Sequence, residues 1–106
     1  MYMYKAHIVK VYDGDTVTAD IDLGFGIFLK RRLRLLGINA PEMRGADKPQ
    51  GVISRDFLRS MVLNKDVFVK THKDKKGKYD RLLAEIILDD KNINQVMLSE
   101  GYAVKY

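Results

Sequence analysis

Four stretches of the chain carry side chains able to do chemistry. The first is Asp13-Gly14-Asp15-Thr16, where two carboxylates flank one glycine. Such a pair can point oxygen ligands at a hard cation. A tight hairpin turn asks for the same Asp-Gly dipeptide, so a plain turn is the competing reading. The second stretch runs from Arg34 through Leu35-Leu36-Gly37-Ile38-Asn39-Ala40-Pro41 to Glu42. A charge late in an apolar strand is costly unless it is paired or exposed, and the turn that follows presents Asn39 and Glu42 together. The competing reading makes Arg34 one member of a solvated face with Lys30 and Arg32, to which it is related by period-two alternation. The third is Tyr79-Asp80-Arg81, next to the fourth, the basic loop Lys73 to Lys78. A guanidinium there suits a phosphate. A surface ion pair of Arg81 with Asp80 or Glu85, worth little, is the alternative. The loop is either simply solvated or, beside a phosphate site, an electrostatic funnel. His7 and His72 read as ordinary strand residues, since they lack the spacing of zinc ligands.

Together these groups supply the parts for metal-assisted hydrolysis of a phosphodiester. Acidic ligands hold a cation that acts as Lewis acid on a phosphoryl oxygen. A carboxylate can activate water, and two arginines can stabilise the charge that grows in the transition state. The net charge of +5 agrees, because excess positive charge favours polyanion partners. With no cysteine in the chain, disulfides and thiolate metal sites are excluded.

The elements that must position these groups read as follows. Ala6 to Tyr12 is a strand ended by the Asp13-Gly14 turn. Val17 to Asp22 alternates, with Val17, Ala19 and Ile21 on one face and Thr18, Asp20 and Asp22 on the other. Leu23-Gly24-Phe25-Gly26 is a turn, and Phe28 to Ile38 a long strand, basic in its middle. Glu42 to Gln50 is polar and reads as a loop. A helix follows from about Val52 to Leu63, with Ile53, Phe57, Leu58, Met61 and Val62 at helical spacing. Two more strands are predicted at Asp66 to His72 and Arg81 to Leu88. A last helix, about Asn92 to Glu100, buries Ile93, Val96 and Met97 and stops at Gly101. The order β-β-β-α-β-β-α is that of an OB-fold, a five-stranded Greek-key barrel with helices, α+β in class. The 106 residues suit a single domain spanning 1–106. Met1 to Lys10 reads as neither signal peptide nor membrane span. The expectation is a soluble protein with no membrane partner, cytoplasmic as given and secreted if a leader was removed.

The ordered set Val11-Tyr-Asp-Gly-Asp-Thr-Val17, Arg34-Leu-Leu-Gly-Ile-Asn-Ala-Pro-Glu42, Lys78-Tyr-Asp-Arg-Leu-Leu-Ala84, Asn92-Ile-Asn-Gln-Val-Met97 and Gly101-Tyr-Ala103 resembles the staphylococcal nuclease (thermonuclease) family over nearly the whole chain. The resemblance implies an OB-fold barrel and calcium-dependent cleavage of DNA and RNA, preferably single-stranded or unpaired. It matches Asp15 to a direct calcium ligand and Asp13 to an acidic residue near the metal shell. Arg34 and Arg81 match the two arginines that bind phosphate and stabilise the transition state. Glu42 matches the carboxylate assigned as general base, and Lys78 and Tyr79 match positions that contact the nucleotide. Two departures stand out. Asn39 replaces the usual aspartate ligand and loses a negative charge, while Ala40 replaces a threonine that ligates through its backbone carbonyl and so keeps that oxygen. The family's long C-terminal helix is absent from this chain, which implies reduced stability or an edge closed by another chain. The resemblance also allows a non-catalytic nucleic-acid- or protein-binding module, or a small accessory subunit of a larger assembly. Asp15, Arg34, Glu42 and Arg81 are all present, which favours the enzyme. The sequence leaves oligomeric state open.

Overall fold

The structure, a computed structural model, describes residues 2–72 and 82–106. The expected alternation in the second strand is realised. In β2 (Thr16–Asp22), Val17, Ala19 and Ile21 are buried while Thr18, Asp20 and Asp22 are half-exposed. One face of the strand is therefore apolar and must be covered. The antiparallel neighbours β1 (Tyr2–Asp13) and β3 (Phe28–Leu35) present the same inward set, with Val11 paired to Val17 and Val17 to Leu33. β1 carries two register shifts, between Ile8 and Lys10 and between Val11 and Asp13. Val9 and Tyr12 are thus extra residues of bulges, which bend and twist the strand as a closing barrel requires.

β5 (Asp66–His72) pairs antiparallel with β1, and β6 (Leu82–Leu88) pairs antiparallel with β5. β6 then meets β3 in parallel, Leu33 beside Leu82 and Leu35 beside Ala84, so the order β3-β2-β1-β5-β6 closes on itself. This is the expected five-stranded barrel. Its core includes Ile8, Val17, Leu33, Leu35, Val69 and Ile86.

Several boundaries differ from the sequence expectation. The third strand ends at Leu35 rather than Ile38. Gly37, at φ 82°, turns the chain, and the two-residue β4 (Ile38–Asn39) then pairs with β8 (Val104–Lys105). The polar segment 42–50 is only partly loop, because a 3-10 turn at Gly45–Asp47 leads into α1 (Lys48–Val62), four residues earlier than the hydrophobic period suggests. Pro49 lies in the first turn, where its missing N–H costs nothing. The inward face of α1 is Gly51, Ser54, Leu58 and Val62, whereas Ile53 is exposed. Positions 54, 58 and 62 form one i, i+4 row, and that row decides which side docks. Phe57 instead stacks on Tyr102, ring centroids 3.9 Å apart.

After β6, the short β7 (Lys91–Asn92) leads into α2 (Ile93–Ser99), capped by the Asn92 side chain, which accepts from the Gln95 N–H, and followed by Gly101 at φ 80°. Ile93 and Met97 are buried as expected, but the third buried residue is Asn94 and not Val96. Asn94 donates to the carbonyls of Leu36 and Ala84 and accepts from the Ile86 N–H. Burying it is tolerable because those hydrogen bonds replace water. Among the described residues no helix is long and apolar enough to cross a membrane.

Candidate functional site

The Asp13-Gly14-Asp15-Thr16 stretch is the hairpin turn the sequence allowed. It is the turn between β1 and β2, and it gathers its carboxylates inward. Gly14 is required for room and not for an unusual backbone angle: a methyl group there would run into Ser54 Oγ and Ala40 Cβ. Gly51 plays the same part on α1, where a methyl would strike the Glu42 carbonyl. Ser54 Oγ donates to the Tyr102 carbonyl at 2.8 Å. Two glycines and one serine thus let helix α1 press on the turn and on the 40–42 segment, fixing one against the other.

Asp15 is buried. Its Oδ2 accepts from the Ala40 N–H at 2.8 Å and its Oδ1 from Thr16 Oγ1 at 3.0 Å. Asp13 Oδ1 accepts from the Asp15 N–H at 3.0 Å. Burial above all pushes the Asp13 carboxyl up from its ordinary 3.8 to about 6. The side-chain hydrogen bond and charge of Asp15 add to the rise, and the Asp15 N–H and Thr16 hydroxyl oppose it without winning.

Arg34 belongs to this group and not to a solvated face. Its side chain is only 13% exposed. One guanidinium nitrogen donates to the carbonyls of Leu35 (3.2 Å) and Ile38 (2.9 Å) and lies 3.5 Å from Asp15 Oδ2, while the other donates to Asn39 Oδ1 at 3.2 Å. The ring of Tyr106 lies 5.6 Å from the guanidinium carbon. The turn 35–39 therefore does for Arg34 what the sequence could only hint at: it supplies carbonyls that hold a planar fork in one orientation.

Glu42 stands at the edge of the group. It lines a cleft of about 350 Å³ with Tyr12, Asp13, Met43 and Arg44, and its Oε2 accepts from Arg44 Nε at 3.3 Å. The structure thus brings together Asp13, Asp15, Arg34, Asn39 and Ala40 by direct contact, with Glu42 across a shared cleft from Asp13. Lys78, Tyr79 and Arg81, and the basic loop with them, lie outside the described residues. The sequence assigns no individual role to Tyr12, Thr16, Met43 or Arg44. Thr16 was legible in principle, being part of the motif, whereas Tyr12, Met43 and Arg44 matter only through the cleft. His7 and His72 sit on strands and pair with Asp66 (2.8 Å) and Glu85 (3.1 Å).

A hard cation suits the donors present. The carboxylates of Asp13 and Asp15, the Asn39 side-chain oxygen and the Ala40 carbonyl are all oxygens of the right class. Among the described residues no three His, Cys, Asp or Glu side chains are grouped to hold a metal. A cation here would complete its shell with neutral oxygens and water.

Residues 32–106 match the family model described as staphylococcal nuclease homologue. The chain is similar to a thermonuclease of Staphylococcus intermedius, 31% identical over 103 residues covering 93% of this chain and 58% of that protein. It is similar to a thermonuclease of Staphylococcus hyicus, 29% identical over 91% of this chain and 56% of that protein. A third relative, an uncharacterized endonuclease of Haemophilus influenzae, is 33% identical over 93% of this chain and 51% of its own length. The chain spans little more than half the length of these curated relatives.

Proposed function

The chain belongs to the staphylococcal nuclease family, and from that premise we propose that it is a calcium-dependent nuclease hydrolysing phosphodiester bonds of DNA and RNA, single-stranded or unpaired by preference. The observation that carries this reading is Arg34, held by three backbone and side-chain acceptors within 3.5 Å of buried Asp15. A guanidinium anchored in this way costs no reorganisation when charge develops on a phosphoryl group.

In this reading Asp13, Asp15, Asn39 and the Ala40 carbonyl would hold the cation, and calcium held there would supply Lewis acidity toward a phosphoryl oxygen. Glu42, poised at the cleft, takes the proton of the attacking water. Arg34 neutralises negative charge that grows on the non-bridging oxygens, and Arg81 does so as its second. Lys78 and Tyr79 contact the nucleotide. Arg44 lies beside Glu42, 3.3 Å from its Oε2, as an exposed partner.

Asn39 favours a second reading, a nucleic-acid- or protein-binding module, because its oxygen already accepts from Arg34 and brings no charge to a cation. One experiment separates the two. Purified protein is incubated with single-stranded DNA in calcium and in chelator, with Glu42→Gln in parallel. The nuclease reading expects cleavage in calcium alone and a loss of ~10²–10⁴-fold in the variant. Binding without cleavage under any divalent cation would establish the module instead.

A further inference from the structure

Tyr12 is an odd residue to find beside two carboxylates. Val11 pairs with Val17 and Asp13 with Thr16, so no residue of β2 stands opposite Tyr12. It is the extra residue of a bulge, a device that re-aims a side chain next to a site. Re-aimed, the ring is half-exposed and forms a wall of the cleft shared with Asp13, Glu42, Met43 and Arg44. The guanidinium carbon of Arg32 lies 5.0 Å from the ring centroid and Lys10 Nζ lies 5.8 Å from it. Both cations come from one cross-strand row, since Lys10 and Arg32 each stand opposite Thr18. Among the described residues neither Lys10 nor Arg32 makes an ion pair.

We infer that Tyr12, with Arg32 and Lys10, forms a nucleotide subsite next to the scissile position. The ring stacks a base, and the two cations take the phosphate attached to it. Stacking on an exposed aromatic flanked by cations is how single strands are held without sequence preference. The cleft, at about 350 Å³, falls in the range of small-ligand pockets, ~300–1,000 Å³. A cation resting on a surface tyrosine would explain Arg32 alone. It would not explain why the ring faces the cleft that holds Asp13 and Glu42. β3 also gives the subsite a direct line to Arg34. Arg32 and Arg34 lie on the same face two residues apart, ~6.7 Å at the usual strand rise, so successive phosphates of one extended strand can meet successive arginines.

The inference rests on the nuclease reading for what lies next door, and the test keeps the two apart. The chain has no tryptophan, so Tyr12→Trp introduces a single reporter at the stacking position. Oligothymidylates of one to four nucleotides are titrated against it in chelator, where nothing is cut. Saturation is checked by the anisotropy of a labelled oligomer. The subsite expects the Trp emission to be quenched as binding saturates. It expects Tyr12→Ala to bind roughly tenfold more weakly than Tyr12→Phe, which keeps the ring. It expects Arg32→Ala to flatten the salt dependence by close to one phosphate contact. Unchanged Trp emission at saturation, or equal affinity of the Ala and Phe variants, overturns the subsite. Cleavage by the parent protein is followed alongside in calcium. Cleavage without quenching removes the subsite and leaves the nuclease, whereas quenching without cleavage leaves the subsite and removes the nuclease.

Discussion

Two cations on β3, Lys30 and Arg34, sit on the same face of the same strand, four residues apart, and have opposite fates. Lys30 is 64% exposed, and Asp20, its cross-strand neighbour, lies 3.4 Å away. Arg34 is 13% exposed and shares its nitrogens among two carbonyls, an amide oxygen and a buried carboxylate. In the sequence the two belong to one alternating series. What separates them is a roof. The chain that leaves β3 folds back through Gly37 and lays Ile38 and Asn39 over the Arg34 end, while the Lys30 end leads to the open turn at Leu23–Ile27. Charge on a strand is therefore not one kind of feature, and the loop that follows decides whether it is solvated or set in place.

The sharpest way to break the contrast is Arg34→Ala. It should lower cleavage ~10²–10³-fold and cost about 2–4 kcal/mol in stability, because Asp15 is left buried without its cation. Arg34→Lys should recover stability more than rate, since it restores charge without the fork. Single-turnover cleavage and urea midpoints read the two effects, and equal recovery of both would show that the geometry of the fork is unimportant.

Next in size is the pH response of Asp13. Its folded value, about 6, lies above its ordinary 3.8. The folded state thus keeps the proton between those values, and the stability it contributes is present below about pH 4 and lost as pH rises through about 6. In chelator, the loss from pH 4 to 7 attributable to this group should be about 1–2 kcal/mol, discounted for its partial exposure. Asp13→Asn should lack that part of the slope, and calcium should reduce it in the parent. Identical pH profiles for parent and variant would sink the account.

Asn39→Asp is expected to act more gently. It adds an anionic ligand and gives Arg34 a charged partner. The calcium needed for half-maximal cleavage should fall about tenfold or less, a gain on the order of 1 kcal/mol. An unchanged calcium titration would take Asn39 out of the metal shell. The control is Lys30→Ala, whose exposed end of the strand should tolerate it within about 0.5 kcal/mol in stability and with little change in rate. A loss rivalling that of Arg34 would erase the distinction between the two ends of β3.

Much of this was open to reading from residue order alone. The alternation of Val17, Ala19 and Ile21 announces a half-buried strand, and the barrel follows from the sequence of elements. The pairing of the Asp13–Asp15 turn with the Arg34–Glu42 stretch was visible as chemistry before it was visible as structure. Three things were hidden, each for a physical reason. The apolar run Leu35-Leu36 conceals the end of β3, because the break is made by one glycine with positive φ. The polar run Lys48 to Gly51 conceals the start of α1, since its first turn docks through absent side chains, Gly51 against the Glu42 carbonyl. The cleft beside Tyr12 depends on a bulge, and a bulge leaves no periodic trace in a single sequence. Asn94 likewise looks like a surface residue in a helical pattern until the barrel wall is placed around it.

The interior amide of Asn94 also acts as a clasp between separate parts of the chain. Three backbone groups from two distant stretches, Leu36 on one side and Ala84 and Ile86 on the other, are answered by one short side chain that both gives and receives. Aspartate has no hydrogens to offer two carbonyls, leucine has nothing to offer any of the three, and glutamine carries its amide one methylene too far out. The asparagine amide meets all three at once, and with them it ties the end of β3 to β6 where the two strands run side by side.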